Sequence, residues 1–511
     1  MKPEKILITW FTAVLPVFGG LDLRAAEAVS PRPNVLFIAV DDLRPDLGCY
    51  GRDYIKSPNI DALAKNGTVF QRAYCQQSVC SPSRTSIMTG LRPDTTKVWD
   101  LRTHFRDAQP DAVTLGQAFK NSGYFVQGMG KIYHGKLDDE PTWSVPCQTP
   151  EAPKYVLPES LEIEKAAAAA AGGKVVAEGE GNKSKVNSRG PAYECADVPD
   201  DTYQDGKVAD LAVETLKELA KKDQPFFLAV GFVKPHLPFV SPKKYWDMYD
   251  PAEIKLATNR FVAKDSPAYA VKVNDGEIRN YSGIPPTGDM PDDLARKLRH
   301  GYYAAISYAD AQIGRVMAEL KTLGLDKNTI VVLWGDHGWN LGEHSLWGKH
   351  TNVENDVNAP LIISAPGQKA AGKTSAALTE FVDIYPTLCD LAGVPLPDGL
   401  EGVSLKPLMD NPELPWKTAA FSQYPRKSDG QSLMGYSMRT DRYRFTVWID
   451  RDDHSKVDAI ELYDHQTDPE ENTNVAKAPA NAELVKELMA QWKQGWPSAK
   501  PPVASVLKAS N

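Results

Sequence analysis

The sequence is poor in cysteine, with six residues in a chain of 511. This scarcity excludes a small disulfide-stabilised scaffold, which needs a much denser set of cysteines. Cys147 and Cys195 flank a polar insertion, and one disulfide between them could close it. Three others lie in apolar stretches typical of buried thiols: Cys49, Cys75 and Cys389. Cys80, the sixth, begins a distinct motif.

An excess of basic residues is absent as well. The chain has 58 Lys and Arg against 66 Asp and Glu, a formal net charge of -8. Non-specific nucleic-acid binding requires a basic face, so nucleic acid is excluded as a partner. No run of like charge is long enough for a charged tail, and no internal repeat is visible. Apolar residues at 42% are typical of a globular protein with a large core.

Long hydrophobic runs are missing after the N-terminus, so we predict no stable membrane anchor in the mature chain. The basic start MKPEK is followed by the apolar run ILITWFTAVLPVFGGL and by the small-x-small site Ala26-Glu27-Ala28. This order is typical of a secretory signal peptide. We therefore predict a cleavable signal peptide over residues 1–28, cut near Ala28, and a secreted or periplasmic protein. A retained membrane anchor is the alternative.

Short apolar runs alternate with amphipathic stretches through most of the chain. Four runs have the β-branched density of buried strands: residues 34–40, 225–232, 329–335 and 360–366. Helices are predicted between them at residues 58–66, 206–222 and 295–323. Strands that alternate with helices predict an α/β fold with a mostly parallel sheet covered by helices on both faces.

The composition changes twice along the chain. Residues 150–195 form a polar, alanine- and glycine-rich insertion, and we expect its segment 163–190 to be mobile at the surface. After about Pro397 the pattern predicts two short strands within 435–449 and a helix near 482–494. We predict a catalytic α/β domain over 29–396 and a smaller α+β subdomain over 397–511.

Acidic residues follow two of the predicted strands. Asp41-Asp42 ends the first strand, and Asp336-His337 ends the strand at 329–335. Ligands in open α/β sheets lie beyond the carboxyl ends of the strands. Carboxylate oxygens suit a hard divalent cation such as Ca²⁺ or Mg²⁺. The sequence therefore favours a metal site at this edge, although a turn or a helix cap would also explain an isolated Asp-Asp pair.

The stretch VCSPSRTSIMTG places Cys80 at the start of a predicted helix. Pro82 suits the first turn, and Gly90 ends the helix. Cys80 would lie at the positive helix end, where anions bind and a thiolate is stabilised. Arg84, one turn later, offers a guanidinium for an oxyanion. A buried structural thiol is the alternative.

The motif Cys80-Ser81-Pro82-Ser83-Arg84, with Thr89-Gly90, resembles the type I sulfatase signature C-x-P-S-R-x-x-x-x-T-G. The resemblance covers most of the mature chain and is greatest to the iduronate 2-sulfatase branch. It is carried by the stretches NVLFIAVDDLRPDLGCYG, SPNID, RPDTT, GKIYHGK, KPHLPF, DHGWNLGEH and ELYDHQTDPEE. It implies an alkaline-phosphatase-like fold and an enzyme that hydrolyses sulfate esters.

The resemblance also implies that Cys80 is oxidised to formylglycine by a separate maturation enzyme. The hydrated aldehyde attacks sulfur, the alcohol leaves, and the second hydroxyl then expels sulfate. A serine ester of sulfate would be hard to hydrolyse, whereas a hemiacetal ester can collapse. One Ca²⁺ per chain is implied, bound by Asp41, Asp42, Cys80, Asp336 and His337.

The remaining roles implied by the resemblance concern positively charged or proton-donating groups. Lys131 and His134 would contact the diol and the sulfate, His236 would help to protonate the leaving oxygen, and Lys349 would bind sulfate. Arg84 would bind sulfate and steady the diol. Together these cations would offset the oxygen charge of the transition state.

Several residues near these motifs are candidates for contact with the sugar. Three are tryptophans that could stack on a ring or pack in the wall: Trp99, Trp339 and Trp347. Arg102 and His104 could face substrate hydroxyls or a carboxylate. The implied substrate is a sulfated glycosaminoglycan, such as 2-O-sulfated uronic acid, or an algal polysaccharide fragment.

Two other functions stay open at this point. One is a phosphodiesterase or phosphonate monoester hydrolase of the same superfamily, which shares the acidic metal ligands. The other is an inactive carbohydrate-binding relative. Such a relative would be expected to have a damaged nucleophile motif or missing acids, and neither is seen in this sequence.

Overall fold

A computed structural model of the chain describes residue 9 and residues 32–172, 188–274 and 276–502. Nearly all of the predicted signal peptide, 1–28, lies outside the described residues, as does 173–187 of the predicted mobile segment. Among the described residues, no helix has the length and apolar character needed to cross a bilayer. Residues Arg32–Asn511 form one compact unit.

The described residues form seventeen β-strands and twelve α-helices. The strands are β1 Asn34–Val40, β2 Thr68–Tyr74, β3 Phe125–Gly130, β4 Arg189–Pro191, β5 Tyr193–Ala196, β6 Phe226–Phe232, β7 Phe239–Pro242, β8 Tyr281–Ser282, β9 Thr329–Gly335, β10 Asn340–Leu341, β11 Trp347–Gly348, β12 Leu361–Ser364, β13 Lys373–Glu380, β14 Ala420–Ser428, β15 Gln431–Arg439, β16 Tyr443–Asp450 and β17 Val457–Asp464. The helices are α1 Pro58–Asn66, α2 Cys80–Thr89, α3 Pro93–Thr96, α4 Leu115–Asn121, α5 Pro158–Ala170, α6 Gln204–Leu219, α7 Lys243–Trp246, α8 Asp292–Thr322, α9 Glu354–Val357, α10 Ile384–Ala392, α11 Lys406–Asp410 and α12 Ala482–Ser498.

A seven-stranded sheet forms the centre, in the order β13-β2-β12-β9-β1-β6-β3. Its strand pairs are parallel except those of β12, which runs antiparallel to both β9 and β2. All four predicted buried strands are present, as β1, β6, β9 and β12. The predicted mostly parallel sheet is therefore confirmed.

Both faces of this sheet are covered, as the buried character of β1 predicts. Alternate side chains of a strand point to opposite faces. Leu36 and Ile38 belong to the core cluster that includes α6 and α8 residues. Val35 and Phe37 belong to a second cluster, which includes residues of α2, α4 and α10. Every residue of β1 is buried.

The carboxyl ends of the central strands meet at one edge. Val40, the last residue of β1, pairs with Phe232 of β6 and Gly335 of β9. At the end of β3, Gly130 pairs with Gly231 of β6. The residues that directly follow these strands therefore lie close together, and among them are the predicted site residues.

A four-stranded antiparallel sheet, β14-β15-β16-β17, lies near the C-terminus together with α12. The two strands predicted within 435–449 correspond to β15 and β16. The smaller α+β part is thus present, while the domain boundary at 396/397 stays a prediction. In the insertion, α5 contains most of the alanine run, and β4 and β5 follow residue 187.

The suggested disulfide between Cys147 and Cys195 is wrong, because both residues are free thiols in the structure. Cys195 lies in β5, where it pairs with Ser241 of β7. Cys147 lies beside the bridge between Gln148 and Met129 of β3. Cys195 is thus held in a strand and Cys147 in irregular chain beside β3, and the polar character of the insertion did not predict this.

Buried ion pairs connect the C-terminal sheet to α9. The Arg444 guanidinium contacts Glu471, with Nε 2.5 Å from Oε1, and also contacts Glu354 of α9. Arg444 is 2% exposed. We expect Arg444→Met to lower the free energy of unfolding by about 3–5 kcal/mol, since it removes a buried guanidinium shared by buried Glu471 and half-buried Glu354.

Denaturant unfolding would measure this loss. Arg442→Met is the matched control, because Arg442 is 47% exposed and pairs with Asp464 at the surface. Its loss should be much smaller, because water and salt screen an exposed ion pair. Equal losses in the two variants would contradict a stabilising role for the buried network.

Candidate active site

Helix α2 begins at Cys80, as the sequence predicts. Val79 before it is extended, and Gly90 after it has φ 69°, a left-handed conformation that suits glycine. Cys80 is 1% exposed. Its Sγ lies 3.3 Å from His337 Nε2 and 3.4 Å from Lys349 Nζ. The motif cysteine and residues that follow distant strands therefore meet in space.

Backbone hydrogen bonds position the acids at the ends of β1 and β9. The Asp41 N–H donates to Phe232 O at 3.1 Å, which extends β1 by one residue. Asp336 Oδ1 accepts N–H groups from Asp42 at 3.0 Å and His337 at 3.1 Å. The two acidic strand ends are thus connected directly, and all four residues are buried.

Arg84 joins two of these acids. Its Nη2 donates to Asp41 Oδ1 at 2.8 Å, and its Nε donates to Asp336 Oδ2 at 2.9 Å. Its Nη1 donates to the carbonyl oxygens of Lys131 and Ile132. The side chain is 0% exposed. Arg84 is therefore committed to holding the acids and the end of β3, and its predicted contact with sulfate stays a prediction.

Two lysines compensate the charge of the adjacent carboxylates. Lys131 Nζ lies 2.5 Å from Asp41 Oδ2, and Lys349 Nζ lies 2.5 Å from Asp42 Oδ1. Burial would raise the pKa of Asp41, but Lys131 and Arg84 hold that pKa well below its usual value. Burial outweighs His236 and Lys349 at Asp42 and raises its pKa.

Gly130 gives Lys131 its place at the end of β3. Its φ is 68°, and an added Cβ would collide with the carbonyl oxygen of Gly231 in β6. Only glycine combines this conformation with such a close strand approach. The GK sequence thus turns the chain so that the Lys131 ammonium reaches Asp41.

The residues fit a divalent cation. Ligand atoms of four buried residues lie within 4.8 Å of one another: Asp41, Asp42, Cys80 and His236. Cys80, Asp336 and His337 form a second such group. Asp42 Oδ2 is buried and has no hydrogen-bond partner among the described residues. An ion would satisfy this oxygen, and a donor set dominated by carboxylates suits Ca²⁺ or Mg²⁺.

The imidazole of His337 is oriented toward this cluster. Its Nδ1 donates to Gly338 O at 2.9 Å, which leaves the lone pair of Nε2 free to accept or ligate. Nε2 lies 3.5 Å from an oxygen of both Asp42 and Asp336. Burial lowers the pKa of His337, so the neutral form that binds metals is favoured.

The two other predicted histidines also follow central strands. His236, after β6, is 1% exposed, and its Nε2 lies 3.8 Å from Asp42 Oδ2. His134, four residues after the end of β3, is 7% exposed. The structure thus places His236 beside the acids, and the role of His134 stays a prediction.

Comparison with known proteins agrees with this arrangement. The family model described as "Sulfatase" matches residues 33–394. A second family model, "N-sulphoglucosamine sulphohydrolase, C-terminal", matches residues 342–495. The chain belongs to the sulfatase family. It is accordingly a sulfuric ester hydrolase.

Two relatives of this sulfatase are iduronate 2-sulfatases. The Mus musculus protein is 35% identical, over 89% of this chain and 93% of its own length. The Homo sapiens protein is 34% identical, over 91% and 94%. A solved structure of the phosphonate monoester hydrolase of Agrobacterium radiobacter is 25% identical, with a TM-score of 0.68, and covers 91% of this chain and 95% of its own. The fold is thus alkaline-phosphatase-like, as predicted.

A cleft of about 510 Å³ opens beside the acidic cluster around Cys80. Its lining includes Val79, which precedes Cys80 in the chain, and Lys349, whose Nζ lies 3.4 Å from Cys80 Sγ. Trp99 and Trp347 line it, so two of the predicted aromatics can face a sugar. Trp339 is fully buried and packs under the Lys349 ammonium, 5.2 Å from its ring centre, so it belongs to the wall.

Positive side chains also line this cleft. They are Arg102, Lys272, Lys349, Arg426 and Lys427. Among the described residues of the lining, Asp100 is the one carboxylate. His104 is outside the lining, and its ring stacks on Phe105 at 4.8 Å. The cleft is therefore suited to an anionic ligand. Arg102 lines the cleft, which is the location that its predicted contact with substrate requires.

One buried acid beside the cluster was not predicted. Glu277 Oε2 lies 3.5 Å from His236 Nε2, and the residue is 1% exposed. It lies in a 3₁₀ turn, Glu277–Asn280, between elements with no strong sequence pattern. A single acid in such a loop has no sequence signal that separates it from a solvated surface residue.

Proposed function

We propose that this sulfatase is an exported enzyme that removes sulfate from a carbohydrate through a formylglycine derived from Cys80. The observation that carries the proposal is the position of Cys80 Sγ, 3.3 Å from His337 and 3.4 Å from Lys349, at the start of α2. A side chain at this position meets both the acidic cluster and the cations. Export, Ca²⁺ as the ion, and a formylglycine-generating enzyme as the maturation partner belong to the same proposal.

Formylglycine would supply the nucleophilic hydroxyl, and a divalent ion held by Asp41, Asp42, Asp336, His337 and position 80 would polarise the sulfate oxygens. The protein's own side chains would bind and orient the sulfate ester. Lys349 and Lys131 place ammonium groups at the acid cluster, where they can offset charge on the sulfate oxygens. Arg84 holds the carboxylates of Asp41 and Asp336 in place through one ion pair with each.

His236 is the candidate proton donor to the leaving sugar oxygen. Its Nδ1 donates to Leu237 O at 2.8 Å, so Nε2 is the atom that faces the cluster. Transfer of the Nε2 proton from the imidazolium form lets the sugar leave as an alcohol instead of an alkoxide, and it leaves a neutral imidazole that keeps its Nδ1 proton. Such general acid catalysis contributes about 10²–10⁴-fold to rates.

The cleft supports a polyanionic sugar as substrate. Sugars of glycosaminoglycans and of sulfated algal polysaccharides carry several anionic groups, and the cleft lining is predominantly positive. The relatives named iduronate 2-sulfatase favour a 2-O-sulfated uronic acid among these. Desulfation of a panel of defined sulfated oligosaccharides would identify the sugar and the position of the sulfate.

We expect the double variant Lys272→Ala/Lys427→Ala to raise KM for a sulfated oligosaccharide about tenfold while kcat is retained. Both side chains line the cleft, and Lys427 is exposed, so each contributes a modest ion contact made equally in the ground and transition states. Steady-state kinetics at two salt concentrations would measure the effect.

The matched control is Lys65→Ala/Lys493→Ala, which removes the same charge from exposed positions outside the cleft. KM should stay near the wild-type value in this control. A similar rise of KM in both double variants would show only a long-range effect of net charge.

A phosphonate monoester hydrolase activity is the second candidate, because a solved enzyme of that name is 25% identical over 91% of this chain. Parallel assays with an aryl sulfate and an aryl phosphonate monoester separate the two. The proposed function requires the larger kcat/KM for the sulfate. A larger value for the phosphonate would replace it with the second candidate.

A further inference from the structure

The imidazole of His236 is fixed at Nδ1, which donates to Leu237 O at 2.8 Å. Nε2 faces buried carboxylates: among the described residues the nearest oxygen is Oε2 of Glu277 at 3.5 Å, followed by Asp42 Oδ2 at 3.8 Å and Asp41 Oδ2 at 4.0 Å. The side chains of His236 and Glu277 are each 1% exposed. Among the described residues, Glu277 is therefore the closest acid to the candidate proton donor.

The carboxylate of Glu277 is itself anchored. Arg189 Nη1 donates to Glu277 Oε1 at 2.7 Å and to the Tyr281 hydroxyl at 3.0 Å. Arg189 belongs to β4 and Tyr281 to β8, and the two residues pair in the same two-stranded sheet. Oε1 faces this sheet and Oε2 faces His236, so the carboxylate spans the distance between them.

The other acids near His236 have partners within the cluster. Asp41 contacts Arg84 and Lys131, and Asp42 contacts Lys349. Glu277 has its own cation, Arg189, from outside that set. Burying a carboxylate costs free energy even when it is paired, so a buried Glu277–Arg189 pair beside a histidine calls for a functional explanation.

We propose that Glu277, anchored by Arg189, is a positioning residue that orients His236 toward the leaving oxygen of the sulfate ester. The inference rests on the proposed function, in which His236 gives that oxygen its proton. A third group that orients an acid–base histidine is a recurring arrangement in hydrolases. Glu277 does not touch the substrate in this proposal; its carboxylate attracts the protonated imidazole, which Leu237 O holds at Nδ1, and so keeps Nε2 on the side of the cluster.

The test uses two leaving groups. An alkyl sulfate, such as a sulfated sugar, releases a poor leaving group that needs the proton, whereas nitrophenyl sulfate releases a stable phenolate that does not. We expect Glu277→Gln to lower kcat for the sugar sulfate by about 10–100-fold, as loss of an orienting partner does elsewhere. The change for nitrophenyl sulfate should be less than about threefold, with KM unchanged for both. A purely structural role would lower both rates in parallel.

Three further variants complete the experiment. Glu277→Asp keeps the carboxylate and should recover part of the sugar-sulfate rate. Arg189→Met removes the anchor and should show the same selective loss of the sugar-sulfate rate. This variant serves as the test if Glu277→Gln folds poorly. Glu461→Gln is the matched control: Glu461 is a buried acid of β17 that accepts from Trp448 and Tyr463, and its variant should show no selectivity between the two substrates.

His236→Ala distinguishes failure of this inference from failure of the proposed function. If His236→Ala is selective for the sugar sulfate and Glu277→Gln is not, the positioning role is overturned and the role of His236 stands. If His236→Ala lowers both rates equally, the proton-donor role is wrong and the inference fails with it. Parallel loss in Glu277→Gln also overturns the positioning role.

Discussion

Cys80→Ala is expected to reduce kcat for sulfate esters by about 10⁴-fold or more, because it removes the side chain that the proposed function makes the nucleophile. Cys80 is buried, and its Sγ lies 3.4 Å from Lys349 Nζ and 3.3 Å from His337 Nε2. Alanine keeps the start of α2 and the neighbouring acids, so the loss should be in kcat with the fold retained.

The unmodified thiol would not replace the aldehyde. The sequence predicted a stabilised thiolate at the helix N-terminus, and the structure shows the opposite. Burial and the Asp41 carboxylate raise the pKa of the Cys80 thiol well above its usual value, and this outweighs Lys349 and Lys131. A neutral thiol is a weak nucleophile. Cys80→Ser should likewise fail to turn over, and a stable sulfate ester should accumulate on the serine.

Mass spectrometry of the peptide that contains position 80, combined with turnover assays, checks both expectations. Protein from a host that makes formylglycine should contain the aldehyde and be active, and protein from a host that does not should retain the thiol and be inactive. Cys389→Ala is the matched control: Cys389 is buried in α10, away from the cluster, and its variant should keep its activity. Full activity of the unmodified thiol form would contradict the formylglycine proposal.

The part of the site that follows the central strands was predictable from sequence. Asp41 and Asp336 directly follow β1 and β9, two of the predicted strands. Lys131 directly follows β3, which was not among the predicted strands, and only the family resemblance indicated this residue. Buried strands are visible as short apolar β-branched runs, and parallel packing brings their carboxyl ends to one edge. The position of a residue that directly follows a strand is therefore set by the sequence of that strand and by the place of the strand in the sheet.

The rest depends on tertiary contacts that no local pattern reveals. Glu277 and Arg189 are 88 residues apart and meet beside the pair of strands β4 and β8. The contacts of Arg84 with Asp41, Asp336 and two carbonyl groups depend on the packing of α2 against the strand ends, and its contact with sulfate stays a prediction. The antiparallel direction of β12 could not be predicted either, because an apolar run indicates that a strand is buried and not which way it runs.

Asp42→Asn is the second variant with a large expected effect, and its backbone makes it a clean test of the metal site. Asp42 has φ 58°, a left-handed conformation that asparagine tolerates better than most residues. Asparagine therefore keeps the shape and the backbone while it removes the charge. Alanine at this position would add backbone strain and confuse the result.

We expect Asp42→Asn to weaken Ca²⁺ binding by more than about 100-fold and to lower kcat/KM by at least as much, since loss of a residue that only supports a ligand already costs about 10–100-fold. Asp42 offers Oδ2, a buried oxygen that no donor among the described residues satisfies. The amide replaces one carboxylate oxygen with an NH₂ group, which repels a cation. It also leaves the Lys349 ammonium, 2.5 Å from Asp42 Oδ1, without its countercharge.

Calorimetric titration of the chelator-treated protein with Ca²⁺ measures the affinity separately from activity. Asp265→Asn is the matched control, because Asp265 has φ 60° and is exposed away from the cluster. Both variants change an aspartate in the same backbone conformation, so a difference between them reports the site and not the turn. If Asp42→Asn bound Ca²⁺ as tightly as the wild type, the carboxylates at the end of β1 would have to be assigned to Lys349 and Lys131 alone, because a hard cation does not ignore the loss of a charged oxygen ligand.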